Sequence, residues 1–234
     1  MILNGMSKMH SNAVAGFIRP TYISHTSATI ENYTTITLTK PTDVAIGDLL
    51  IILVGNDYDG SFTQWNDTTN KPSGFTLIIT GGSSLSDTRF AAFWRVADGT
   101  EGATIDVTSF SYAYQFGFYI HIKGANAVSP IGVLSDSYLD FGSSNHNLTA
   151  SVTNGNIDDL GIYILSFDGG DGFPFAVTSG VGWVEKGEVQ VYTTPITVSG
   201  TFGIKDYDSI TGENVNINSS VNDGGAGFQF RISK

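Results

Sequence analysis

The chain contains no cysteine, which excludes disulfides, thiolate metal sites and cysteine nucleophiles. Charge is scarce too: 14% of residues are Asp, Glu, Lys or Arg, against roughly 25% in an average domain. Basic residues are the rarer sign, 11 against 22 acids, so the formal net charge is −11 and the pI is near 4.5. Such a surface repels phosphate backbones, and no nucleic-acid partner is expected. No run approaches the ~20 apolar residues of a membrane span, so no membrane insertion is expected. The opening MILNGMSKMHSNAVAGFIRP interrupts its apolar residues with Asn4, Gly5, Lys8 and His10, unlike an export signal. The sequence also lacks a G-x-S-x-G elbow, a G-x-G-x-x-G turn after a strand and a Walker loop. Its four histidines, His10, His25, His121 and His146, show no metal-ligand spacing. These absences point away from an enzyme.

What the chain does have is strand signal. DLLIILVG (Asp48–Gly55) is a short, wholly apolar run between turn residues, the pattern of a central strand buried on both faces. TTITLTK (Thr34–Lys40) alternates β-branched residues, and FTLIIT (Phe75–Thr80), TRFAAFWRVA (Thr88–Ala97) and ATIDVTS (Ala103–Ser109) also carry strand signal. So do QFGFYIHIKG (Gln115–Gly124), LGIYILSFDG (Leu160–Gly169), TPITVSGTFGI (Thr194–Ile204) and GFQFRIS (Gly227–Ser233). Gly, Asn, Asp or Pro separates most neighbours, and no window repeats apolar residues at helical spacing. The fold class is therefore all-β: one antiparallel, jelly-roll-like β-sandwich over residues 21–234, preceded by an extended N-terminal arm over 1–20.

The arm carries Lys8 and Arg19 but no acid, and it holds all three methionines. Methionine adapts to irregular apolar surfaces. Met1, Met6, Met9, Phe17 and Ile18 are thus the candidate contacts with a partner, the plainer reading being an ordinary loose terminus. In RVADGTEGATIDV, Asp98 and Glu101 lie close enough for a carboxylate pair. Asp98-Gly99 is also ordinary turn chemistry, and the stretch reads as a corner between strands. Phe93 and Trp94, adjacent on one strand, face opposite sides, so one belongs to the core and the other faces out or meets a partner. His121, inside FYIHIKG, reads as a satisfied sheet histidine.

Among the acidic loops, FDGGDGF is the best candidate for calcium, with Asp168 and Asp171 as ligands and glycines that let carbonyls approach an ion. No other cofactor is expected. Trp65 and Trp183 sit in Gly- and Asn-rich surroundings. They read either as buried tryptophans or as ring faces for stacking on a sugar.

Three segments carry a family resemblance. TITLTKPTDVAIGDLLIILVGND has the form of a proline-led opening to a GDLL-apolar strand. PSGFTLI followed by FAAFWRVADGTE resembles a Gly-aromatic-Thr segment and an aromatic-x-Val-Ala strand. YIHIKGANAVSPIG is similar to an aromatic–apolar–Gly element that ends in Pro-Ile. Together, over about residues 35–170, they resemble β-sandwich modules of bacteriophage virions, found in tail fibres and other exposed virion parts. The resemblance implies a non-enzymatic structural protein, a capsid decoration or cement or a tail component, that is assembled in the host cytoplasm and resident in the virion. It further implies homo-oligomers and contacts with other virion proteins, here through the arm and one sandwich face. The alternative it leaves open is a carbohydrate-binding module for host adhesion. The family has no shared catalytic motif, so no catalytic residue carries over.

Overall fold

The computed structural model describes residues 18–57, 65, 70–82, 88–134, 138–148, 156–168, 176–193, 196–208 and 214–234. Among them lie twelve strands and no helix. The first five are β1 (Thr21–Thr39), β2 (Leu49–Asp57), β3 (Thr76–Gly82), β4 (Thr88–Val96) and β5 (Thr104–Lys123). Then follow β6 (Ile131–Leu134), β7 (Tyr138–Leu148), β8 (Leu160–Asp168), β9 (Ala176–Ser179), β10 (Val184–Thr193), β11 (Ile196–Asp206) and β12 (Val215–Ile232). All pairings are antiparallel. The first sheet has the order β1-β5-β2-β4-β3. The second has β10-β11-β8-β12-β6, with β7 and β9 also pairing with β12. The fold is a β-sandwich, and each sheet is drawn from one half of the chain.

β2 shows why the sequence folds this way. Leu49, Ile51 and Leu53 enter the layer between the sheets, with Phe116, Phe118, Ile162, Ile164, Phe228 and Phe230. Leu50, Ile52 and Val54 alternate onto the opposite side. In a two-layer sandwich that side would meet water, yet all six residues are buried.

The cover comes from the β1–β5 ribbon folding back on itself. The pairing register breaks between Ile30 and Thr35, and Thr26 Oγ1 donates to the carbonyl of Thr39. Thirteen residues of straight strand would hold these two about 43 Å apart. The returning half packs Ile36, Leu38 and Val107 onto Leu50, Ile52, Val54 and Phe93. Trp65 and Phe75 complete this layer.

The second sheet repeats the device. β12 pairs with β8 over Gly225–Ile232, breaks register between Asn218 and Asp223, and pairs with β7 and β9 near Val215–Asn218. Val215, Ile217 and Leu148 thereby join Tyr163, Leu165, Phe167, Trp183 and Tyr207 in a third apolar layer.

This stacking decides several of the expectations. Phe93 and Trp94 do face opposite sides. Phe93 lies wholly buried under the folded-back ribbon, and Trp94 packs, half-buried, against the layer between the sheets. Neither is left free as a partner contact, because the first sheet is covered on both faces. His121 is fully buried, its Nε2 2.7 Å from an Asp48 carboxylate oxygen that also accepts the Ala45 amide at 2.8 Å.

Candidate functional site: the end of the sandwich where the arm leaves

The arm joins the sandwich through Ile18, Arg19 and Pro20. Pro20 is buried. Arg19 Nη2 donates to the Tyr207 carbonyl at 3.0 Å, and its Nε lies 3.8 Å from the Asp206 carboxylate. Gly124, at φ +77°, permits the close approach: a Cβ there would fall 2.7 Å from both the Arg19 carbonyl oxygen and Ile18 Cγ2. Ile18 and Arg19 are thus held against the domain, while the Ile18 side chain is left 72% exposed.

Two further apolar residues stand at the same end. Asn126 donates its amide to the Ser233 carbonyl, and its side-chain oxygen accepts the Val128 and Ser129 amides at 2.9 and 3.0 Å. This tight turn pushes Val128 outward, 90% exposed. The Asp158 amide donates to the same Tyr207 carbonyl that holds Arg19, and its carboxylate pairs with Lys234 Nζ at 2.9 Å. Beside it Ile157 is 52% exposed. Single exposed apolar side chains are unremarkable. Three gathered around one chain exit, among ion pairs, have the make-up of an interface with apolar anchors and a polar rim.

The acidic corner is at the surface of the first sheet, beside a cleft of about 160 Å³ lined by Ser73, Phe75, Arg95, Thr100, Glu101 and Tyr119 among others. Its groups are engaged with one another. Asp98 accepts from the Thr100 hydroxyl at 2.6 Å, the Thr100 amide at 2.9 Å and Arg95 Nη2 at 2.8 Å. Glu101 accepts the Asp98 and Gly99 amides at 2.8 and 3.1 Å and pairs with Arg95 at 3.2 Å. The Thr100 hydrogen bonds, reinforced by Arg95, hold the Asp98 carboxyl down at about 2. Burial, with Glu101 nearby, pushes the Tyr119 phenol up to about 12. These mutual hydrogen bonds and ion pairs make the corner a locked turn. Replacing Arg95 with alanine leaves the nearly buried Glu101 carboxylate without its cation. The expected cost is about 1–3 kcal/mol, read as a lower urea midpoint.

The other residues singled out in the sequence fall as follows. Met1, Met6, Met9 and Phe17 lie outside the described residues, as does Asp171. Asp168 ends β8, paired with Val198. Among the described residues no group of three or more His, Asp or Glu side chains could hold a metal ion. Trp65 is wholly buried, its indole N–H donating to the Thr108 carbonyl at 3.1 Å. Trp183 is 6% exposed and packs against Tyr163 and Tyr207 at ring separations of 5.5 and 6.2 Å. Between the two readings of these tryptophans, the structure places both in apolar layers, with no ring face turned out for a sugar. Val128 and Ile157 were not visible as site residues, because an isolated Val or Ile in a turn carries no sequence signal.

No protein-family model matches this chain, and neither the curated proteins nor the solved structures contain a match. Among the described residues, no helix is long and apolar enough to cross a membrane.

Proposed function

We propose that the chain is a non-enzymatic structural subunit of a bacteriophage virion, a capsid decoration or an exposed tail component. It is joined to its neighbours by the N-terminal arm and the end of the sandwich from which that arm departs. The single observation that carries this reading is Ile18, anchored through Arg19 and Gly124 yet left exposed at the root of a basic, methionine-bearing segment. The virion assignment rests on the resemblance over residues 35–170. The attachment surface is narrower than a whole sandwich face, because the folded-back strands cover much of both outer faces. Each contact is small, but repetition over a symmetric lattice raises the effective concentration and makes weak contacts hold. A host-adhesion module that stacks sugars on Trp65 and Trp183 is not favoured, since both rings are buried.

Deletion of residues 1–17 keeps Arg19 and Pro20 and is expected to leave a folded, soluble domain. That domain should fail to join particles when supplied in trans to virions lacking the full-length chain. Truncated protein that assembles at full occupancy would remove the arm from the account.

A further inference from the structure

We propose that the cleft beside the acidic corner binds a single neutral sugar ring, recognised through its hydroxyls by Tyr119, Arg95 and Glu101. The cleft exists because the β1–β5 ribbon folds back. Tyr119, opposite Ile52 of β2, stands on the outer face of the first sheet. Thr104 and Ile105, from the start of the same β5, return over that face and form one wall. The turn at residues 73–75 and the corner at 95–102 form the others, enclosing about 160 Å³. Pockets for drug-sized ligands run to roughly 300–1,000 Å³, so this one has room for one ring and not for a chain.

Two observations point to a ligand, and the first is the phenol. Tyr119 is 2% exposed, and its ring packs edge-on against Phe75 at 6.0 Å. Its hydroxyl makes no hydrogen bond to any described residue, yet it lies close enough to Glu101 and Arg95 to feel both charges. Burial, then Glu101, pushes it up to about 12. At neutral pH it therefore keeps its proton and both donates and accepts. Phenylalanine would fill the same space, so packing does not require the oxygen. A buried hydroxyl without a bond asks for a group that supplies one.

The second is the ion pair at the rim. Every bond of Arg95 to the corner runs through Nη2, which serves Asp98, Thr100 and Glu101. Nη1 reaches the opposite wall, where a Cβ at Gly74 would fall 2.6 Å from it. The Glu101 side chain is 4% exposed, and its Oε2 takes only the Gly99 amide, which leaves a lone pair.

A donor, an acceptor and a phenol that is both thus converge on one small space, with the Ser73 and Thr104 side chains beside them. Their charges disfavour ions of either sign. Asp98 and Glu101 outnumber Arg95, which opposes a carboxylate or phosphate, and Nη1 opposes an ammonium. A neutral hydroxyl gives and accepts at one atom, and neighbouring hydroxyls on a ring match a donor set beside an acceptor. Phe75 and Ile105, also in the lining, suit the C–H surface of such a ring. The site is separate from both buried tryptophans and needs no stacking on them.

The test is saturation-transfer difference NMR on the full chain with glucose, galactose, mannose and N-acetylglucosamine in turn. At least one should receive saturation and bind with millimolar affinity, the strength expected of a ligand with so few atoms. Sodium acetate and sodium phosphate should not displace it. Tyr119→Phe removes only the oxygen. It should keep the wild-type melting temperature, because the hydroxyl has no bond to lose, and bind the sugar about three- to tenfold more weakly. Ser73→Trp, at an exposed position on the rim, should fold and block entry. Saturation of none of the four sugars, or undiminished affinity in either variant, would overturn the site. Displacement by either anion would do the same. A lowered melting temperature in Tyr119→Phe would show that the phenol already has a partner within the protein, and the proposal would fall with it. None of these outcomes depends on particle assembly, so they are independent of the virion reading.

Discussion

Gly200→Val should cost the protein a large part of its stability. Gly200 sits on β11 in the layer between the sheets, and a Cβ there would fall 2.1, 2.3 and 2.7 Å from atoms of the Phe116 ring. The ring has nowhere to retreat: on its other side a Cβ at Gly55 would lie 2.4 Å from it and 2.6 Å from Ser166 Oγ. Phe116 is therefore wedged between two strands of opposite sheets, and only glycine at both positions makes room. Overpacking of a dense core costs about 1–3 kcal/mol and occasionally more. Valine at this separation belongs to the costly end, a large part of the roughly 5–15 kcal/mol that holds a domain folded. Urea denaturation is the measurement, with the midpoint lowered and the slope preserved. Phe116→Ala alone should cost about 3–5 kcal/mol. Combined with Gly200→Val it should cost less than the sum, because the side chain that clashes is gone. Strict additivity would mean that ring and glycine do not meet.

The second large effect is expected from Trp65→Ala, at about 3–5 kcal/mol. The indole fills the layer under the folded-back ribbon with Phe75, Tyr119 and Phe93, and its N–H satisfies the Thr108 carbonyl. Alanine removes both the volume and the donor. Loosening should be local at first. Amides of residues 33–39 and 104–109 should exchange faster, while those of β8 and the second half of β12 keep their protection. Trp65→Phe, which retains most of the apolar area, should cost less, near the ~1 kcal/mol of one hydrogen bond. A neutral Trp65→Ala would place the ring on the surface and return sugar stacking to consideration.

How much of this was legible in the sequence depends on which contacts write a pattern. β2, β4, β5, β8 and the end of β12 are dense apolar runs flanked by turn residues, and the all-β sandwich follows from them. The strands that escaped notice are polar or short: TYISHTSATIENY opening β1, YLDFGSSNHNL in β7 and VEKGEVQVYT in β10. They pair at edges or form the covering layers, where only one face is apolar and a bulge upsets the alternation. β10 is the clearest case, since its extra residue puts Glu185 and Glu188 on one side when spacing alone assigns them to two. The fold-back of the β1–β5 ribbon was equally hidden, and so the covered outer face of the first sheet was not foreseen. The burial of Trp65 follows from that fold-back. For the site, the arm residue Ile18 was readable as an apolar residue beside Arg19. The exposure of Val128 and Ile157 was not, because it depends on two turns brought together by the backbone of Tyr207 and Ser233.

A chain without cysteine allows a direct test of attachment. A single thiol is introduced by Ile18→Cys and, for comparison, by Tyr33→Cys at the distant bend of the ribbon, where the side chain is 61% exposed. Both proteins are then assembled into particles and probed with maleimide and a short cross-linker. The account predicts that the thiol at position 18 is protected in the particle and cross-links to a neighbouring subunit, while the thiol at position 33 remains reactive. Full maleimide reactivity at position 18 in intact particles, equal to that of the free protein, would contradict it.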